Sequence, residues 1–207
     1  MLLGSHHSMS YLEPANKWNK LWHFLRQTQN VDIETQYLKY SVRVFDIRLY
    51  IDNHLHVMFK QECVPLRTVS VYEVLSFLNR MGDCYVRVSL EVNDSDFMAN
   101  MILAKYKRFS EYCAIIEDIY PHITFLGGIV NQTGQWLYRF TKNKNNLTEV
   151  KMNYHSNNSL KNFLVNAFRK ICPRLFSKIR NKQFYDRLLS DSSIKTFFLM
   201  DFVDTRY

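Results

Sequence analysis

Ten residues, Ser41 to Tyr50, constrain the fold more than any other stretch of the chain. They read Ser-Val-Arg-Val-Phe-Asp-Ile-Arg-Leu-Tyr. β-Branched and aromatic residues dominate and neither Gly nor Pro interrupts them, which predicts a strand. Side chains alternate across a strand. Phe45, Ile47 and Leu49 therefore share one face, and Val44, Asp46 and Arg48 the other. A carboxylate and a guanidinium point the same way out of a largely apolar strand. Burying either alone is costly. They form a structural ion pair or line a polar cavity, and the strand by itself leaves both open.

The remaining pattern is strand and helix in alternation. Met1 to Ser5 is a short apolar lead that reads as a first strand cut short. Trp18, Leu21, Trp22 and Leu25 have helical spacing, which assigns Trp18 and Trp22, like Trp136, to packing. Gln27 to Gln36 turns into a short helical approach to the Ser41 strand. Asp52 and Asn53 mark a turn, and Leu55 to Lys60 reads as a further strand. Val71, Val74, Leu75 and Leu78 fall on one face of a helix over 70–81. Cys84 to Asn93 is a strand with Val86, Val88, Leu90 and Val92 on one face and Arg87, Ser89 and Glu91 on the other. Asp94 to Asp96 caps a long helix to about Tyr120, stopped by Pro121. Ile123 to Leu126, Gln135 to Thr141 and Val150 to Tyr154 are extended, with Gly127 and Gly128 breaking the first of these. Leu160 to Ile171 and Leu175 to Leu189 are helices, and Ile194 to Val203 is the last strand.

Such alternation predicts a parallel sheet in a single domain spanning 1–207. In a β/α barrel, polar side chains of the inward faces gather at the C-terminal ends of the strands. Asp46, Arg48, Glu91, Arg139 and Asp201 each lie late in a predicted strand, the pattern of a barrel-mouth site. The formal net charge of +8 favours an anionic partner, and no nucleic-acid motif accompanies it. Cys63, Cys84, Cys113 and Cys172 are too widely spaced for a zinc finger. No run of 18 apolar residues and no signal peptide occurs, which leaves the compartment open.

Beyond these patterns the sequence resembles a known family. The matching parts are Gly4-Ser5-His6-His7-Ser8, then Gln36, then Arg43 to Arg48, then Val71 to Leu75, then Val88 to Glu91, then Met200-Asp201-Phe202. In this order they are similar to the X domain of phosphatidylinositol-specific phospholipase C, above all to the bacterial single-domain enzymes. The resemblance implies a distorted α/β barrel of TIM-like type, without a cofactor or metal. It implies cleavage of an inositol phospholipid to diacylglycerol and a cyclic inositol phosphate, with peripheral membrane contact and a secreted or cell-surface setting. His6 falls on the family's general base and Asp201 on the carboxylate that orients it. Arg48 falls on the arginine that stands in for the calcium of the eukaryotic enzymes, with Asp46 holding it. Arg139 and Glu91 fall near substrate-binding positions, although bacterial enzymes have a lysine where Glu91 stands.

The sequence departs from the family in three places. The family's second catalytic histidine has Phe59 and Lys60 in its place. The aspartate that supports that histidine is His7 here, which makes His7 the candidate for the missing acid. The segment between Phe140 and Leu160 is too short for a complete strand–helix unit plus another strand, so one barrel strand is expected to be absent or remodelled. Two other readings accompany the phospholipase one. The first is a catalytically impaired barrel that binds a phosphorylated headgroup or glycan. The second is a metal-dependent, glycerophosphodiesterase-like enzyme using Glu91 and Asp46.

Overall fold

A computed structural model of the chain describes residues 2–20, 23, 27–52, 54, 56–61, 64–67, 69–90, 99–130, 136–140, 148–151, 174–178, 181 and 196–205. The strands are β1 (Leu2–Ser5), β2 (Val44–Ile51), β3 (Val57–Gln61), β4 (Val64–Pro65), β5 (Cys84–Leu90), β6 (Ile123–Leu126), β7 (Gly128–Val130), β8 (Trp136–Arg139), β9 (Thr148–Lys151) and β10 (Thr196–Met200). The helices are α1 (Ile33–Leu38), α2 (Val71–Met81) and α3 (Ala99–Ile119).

Six strands run parallel in the order β6-β5-β2-β1-β10-β9. The last strand thus returns beside the first, as in a barrel. β6 and β10 are four strands apart, roughly 19 Å in a flat sheet. Yet Leu126 of β6 joins Phe197 and Leu199 of β10 in one buried cluster with Val44 of β2. The sheet must therefore curl so that these side chains meet inside it. Among the described residues β6 and β9 do not pair, so the barrel is not closed.

The outer face of β2 carries the main core. Phe45, Ile47, Leu49 and Ile51 pack with Val71, Val74, Leu75 and Leu78 of α2 and with Phe109, Tyr112, Cys113 and Ile116 of α3. These are the side chains that period-2 and period-3.6 patterning turn toward each other. Burying a large aliphatic or aromatic side chain stabilises by about 1.5–3 kcal/mol, so this interface dominates the stability of the sheet–helix layer. The inner face starts narrow. A Cβ on Gly4 would lie 2.8 Å from Leu199 Cδ2, 2.9 Å from the Phe198 carbonyl oxygen and 3.1 Å from Val44 Cβ. Only glycine lets β1 fit between β10 and β2.

Several expectations change. Leu55 to Lys60 does not supply a parallel barrel strand. β3 is antiparallel to β2, pairing Leu49 with Phe59 and Ile51 with Val57. The reason is the short connection: Asp52 Oδ1 accepts from the His54 and His56 N–H groups at 2.8 Å each and reverses the chain. A parallel return would need a crossover of a dozen residues or more. As expected, β6 ends at Leu126, where Gly127 has a φ of 79°; Gly128 then begins β7, and β7 and β8 form a separate antiparallel pair. Trp18 is not a packing residue: it is 79% exposed, in a 3-10 turn at Lys17–Asn19. The strand ends also shift. β2 starts at Val44 and β9 covers Thr148–Lys151. The Asp94–Asp96 cap, the helix over 160–171 and most of that over 175–189 lie outside the described residues, although 174–178 and 181 are helical.

Candidate active site

Strand register assembles one polar layer. Ser5 pairs with Met200, so His6 and Asp201 follow side by side. Gly4 pairs with Val44 and Ser5 with Phe45, so His6 comes level with Asp46. Asp46 pairs with Arg87 across β2 and β5. Asp201, His6, Asp46 and Arg87 therefore stand in a row, directly above the apolar layer of Leu199, Gly4, Val44 and Tyr85.

Distances within the row are short. His6 Nδ1 lies 2.7 Å from Asp201 Oδ1. A carboxylate only accepts, so Nδ1 carries the hydrogen and Nε2 is the basic nitrogen of neutral His6. Nε2 is 4.0 Å from Asp46 Oδ2. Arg48 Nε donates to both Asp46 oxygens, at 3.1 and 3.0 Å, and Arg87 Nη1 donates to Oδ1 at 2.9 Å. Asp46 is fully buried. Burial pushes its carboxyl pKa up, but Arg48 and Arg87 outweigh this and hold it far below the usual carboxylate range.

His7 differs from its neighbour. Its φ of 43° turns the chain sharply after His6, and its N–H donates to Asp46 Oδ2 at 3.2 Å. Its ring is 4.2 Å from that of His6, centroid to centroid, and is almost fully buried. Burial, with His6 adding, lowers its pKa well below the ordinary value against the pull of Asp46. His7 is therefore neutral near neutral pH. An acid assigned to it would have no imidazolium proton to give.

Buried amides hold the loop that carries both histidines. Gln29 Nε2 donates to the carbonyls of His6 at 3.1 Å and Met200 at 2.7 Å, while its Oε1 accepts from Val203 N at 3.1 Å. Thr28 Oγ1 donates to the His6 carbonyl at 2.8 Å. Gln36 Nε2 donates to the Ser8 carbonyl at 2.9 Å. On the other side Asn181 Nδ2 donates to the Asp201 carbonyl at 2.6 Å. These side chains tie the ends of β1 and β10 together without touching the ring nitrogens.

Of the expected site residues, the structure brings together His6, His7, Asp46, Arg48 and Asp201. Arg139 ends β8, is exposed, and pairs with Gly128 just past the end of β6. Its backbone is thus at the C-terminal rim, on the separate hairpin. Glu91 lies outside the described residues. Phe59 is buried in the outer core, and His56 is exposed beside Asp52 at the hairpin turn. Arg87 escaped the sequence reading. Its signal was its alternation with Ser89 and Glu91, but period alone could not say that its partner would be Asp46.

Donor atoms of His6, His7 and Asp46 fall within 4.8 Å of one another. Asp46 already accepts from two guanidinium groups, so a cation placed there would face Arg48 and Arg87. That charge arrangement suits an anion better than a metal ion.

Solved structures share the fold that carries these residues. Phosphatidylinositol-specific phospholipase C from Listeria monocytogenes aligns with a TM-score of 0.59 over 99% of this chain and 89% of its own, at 17% identity. The chain has the phosphatidylinositol-specific phospholipase C fold. Two variants of the Staphylococcus aureus phospholipase C align with TM-scores of 0.57 and 0.55, at 12% and 10% identity. They cover 97% and 99% of this chain and 84% and 90% of theirs. No family model and no curated protein matches the chain. In this phospholipase C fold the polar row sits where the parallel strands end, as β/α barrels place their chemistry.

Proposed function

We propose that the chain is a single-domain phosphodiesterase of the phosphatidylinositol-specific phospholipase C type, acting on an inositol phospholipid. The observation that carries the proposal is the His6–Asp201 contact of 2.7 Å beside the Asp46–Arg48 pair. A base and a phosphate-binding cation are what an internal phosphoryl transfer needs. His6 Nε2 takes the proton of the inositol 2-hydroxyl. The freed oxygen attacks phosphorus, and Arg48 offsets the charge that grows on the phosphoryl oxygens. The bond to the diacylglycerol oxygen breaks, leaving a cyclic inositol phosphate. Solvent water protonates the departing alkoxide, because neutral His7 has no proton to spare and Phe59 is apolar. Arg139 and Glu91 are assigned to the headgroup.

A lipid substrate requires contact with a bilayer. Trp18, exposed between Lys17 and Lys20, and the net charge of +8 support docking on an anionic surface. Membrane binding of the Staphylococcus aureus enzyme is the subject of one solved structure with this fold, at a TM-score of 0.53 and 12% identity.

The test compares phosphatidylinositol with an inositol phosphodiester whose leaving group is an acidic phenol, each with and without chelator. Cleavage of both is expected to resist the chelator, with the phenol ester faster because it needs no acid. His7→Asn should change both rates by the same factor. Loss of activity in chelator, restored by calcium, would favour the metal-dependent glycerophosphodiesterase-like reading. Headgroup binding with no cleavage of either substrate would favour the impaired barrel, which the apolar Phe59 and neutral His7 support.

A further inference from the structure

Arg87 reaches the site from the side opposite to His6. β1, which leads into His6, and β5, which carries Arg87, flank β2 on its two edges. Asp46 stands between them. Its Oδ2 is 4.0 Å from His6 Nε2, just beyond hydrogen-bond reach. Its Oδ1 is held by Arg87 Nη1 at 2.9 Å.

That separation has a chemical consequence. Asp201 occupies His6 Nδ1, so Nε2 is the nitrogen left to accept a substrate proton. A carboxylate that swung about 1 Å toward it would form a charge-assisted hydrogen bond and keep a proton on Nε2. The base would then be closed. The His7 N–H also donates to Oδ2, at 3.2 Å, but from the His6 side, and Arg48 cannot prevent the swing alone. It lies on the same strand as Asp46, and its Nε straddles both oxygens, so the carboxylate could move with it. Arg87 pulls from β5, away from His6. Among the described residues, the charged and titratable groups around His6 are Asp201 after β10, Asp46 and Arg48 on β2, Arg87 on β5, and the adjacent His7.

We infer that Arg87 is a positioning residue that anchors Asp46 toward β5 and so keeps His6 Nε2 open as a proton acceptor. The inference rests on the reading of His6 as the base. It is tested by long-range nitrogen NMR of ring-labelled histidine, with His6 assigned from a His6→Gln variant. The signal reads directly whether Nε2 carries a proton, and it does so in a protein with no activity. The parent signal is the reference. In Arg87→Gln, protonated Nε2 should rise about tenfold at the same pH. In the same variant kcat/KM on the phenol ester should fall about tenfold on the acid side of neutrality and about twofold on the alkaline side. Arg87→Lys should restore part of both. A parent-like His6 signal in a folded Arg87→Gln protein overturns the inference. Should that variant not fold, Arg87→Lys decides alone. Its shorter side chain should give an intermediate Nε2 signal, and an unchanged one overturns the inference. If the nitrogen signal moves while no substrate is cleaved, the positioning role stands and the proposed activity fails.

Discussion

His6 and Asp201 lie one residue beyond a paired couple, Ser5 and Met200, and their side chains meet at 2.7 Å. The contact joins the first described strand to the last, so its geometry depends on β10 returning to pair directly beside β1. Asp201→Asn tests it. An amide can present N–H to Nδ1, which reverses the tautomer and puts the hydrogen on the reacting nitrogen. A loss of kcat/KM on the order of 10²-fold or more is expected, with little change in melting temperature.

Arg48→Lys should be nearly as damaging. A lysine has no planar fork and cannot straddle both Asp46 oxygens as Arg48 Nε does. Activity is expected to drop by about 10²-fold, and chelator should leave the residual rate unchanged. Steady-state assays with and without chelator check both.

His7 predicts a pH dependence of stability. Its folded-state pKa is lowered, chiefly by burial. The unfolded chain therefore binds a proton that the folded chain refuses, and stability falls as pH drops below about 6.5. One such group contributes a slope of up to about 1.4 kcal/mol per pH unit. His23, also lowered by burial, adds to the same slope. Denaturant melts of the parent and of His7→Asn isolate the His7 share: the variant should lose less stability between about pH 6.5 and 5. Asparagine is chosen because it tolerates the positive φ of 43°.

Asp46 acts in a lower window. Its folded-state pKa is depressed by Arg48 and Arg87 against the cost of burial. Its stabilisation is thus present above the unfolded value of about 3.9 and is lost progressively as pH falls below it. Asp46→Asn should remove that loss from the acid limb. At neutral pH it should cost about 3–5 kcal/mol, because two partly buried guanidinium groups lose their carboxylate. Melts over a pH series read both effects.

Gly4→Ala should destabilise by about 1–3 kcal/mol. The added methyl would meet a backbone oxygen, Phe198 O at 2.9 Å, which cannot move without disturbing the β1–β10 pairing. A lowered melting temperature with far-UV dichroism retained is the expected result.

Alternation along Ser41–Tyr50 was enough to turn Asp46 and Arg48 to the inner face and Phe45, Ile47 and Leu49 to the core, because side-chain direction in a strand is a local property. The same holds for the apolar stripe of α2 and for the motif around His6. Which strand would lie beside which is not local. Register made Arg87 the partner of Asp46 and put His6 level with both, and a shift of one residue would have turned each side chain to the other face. Burial likewise decided His7, whose ring packs 4.2 Å from that of His6 and away from water. Leu55–Lys60 read as a barrel strand until the Asp52 turn reversed it, since period two identifies a strand but carries no direction. Composition and spacing along the chain thus determined the elements and the residue types available for chemistry. Only the tertiary pairing decided which charges neutralise one another, because that depends on distances of a few ångströms between residues far apart in sequence.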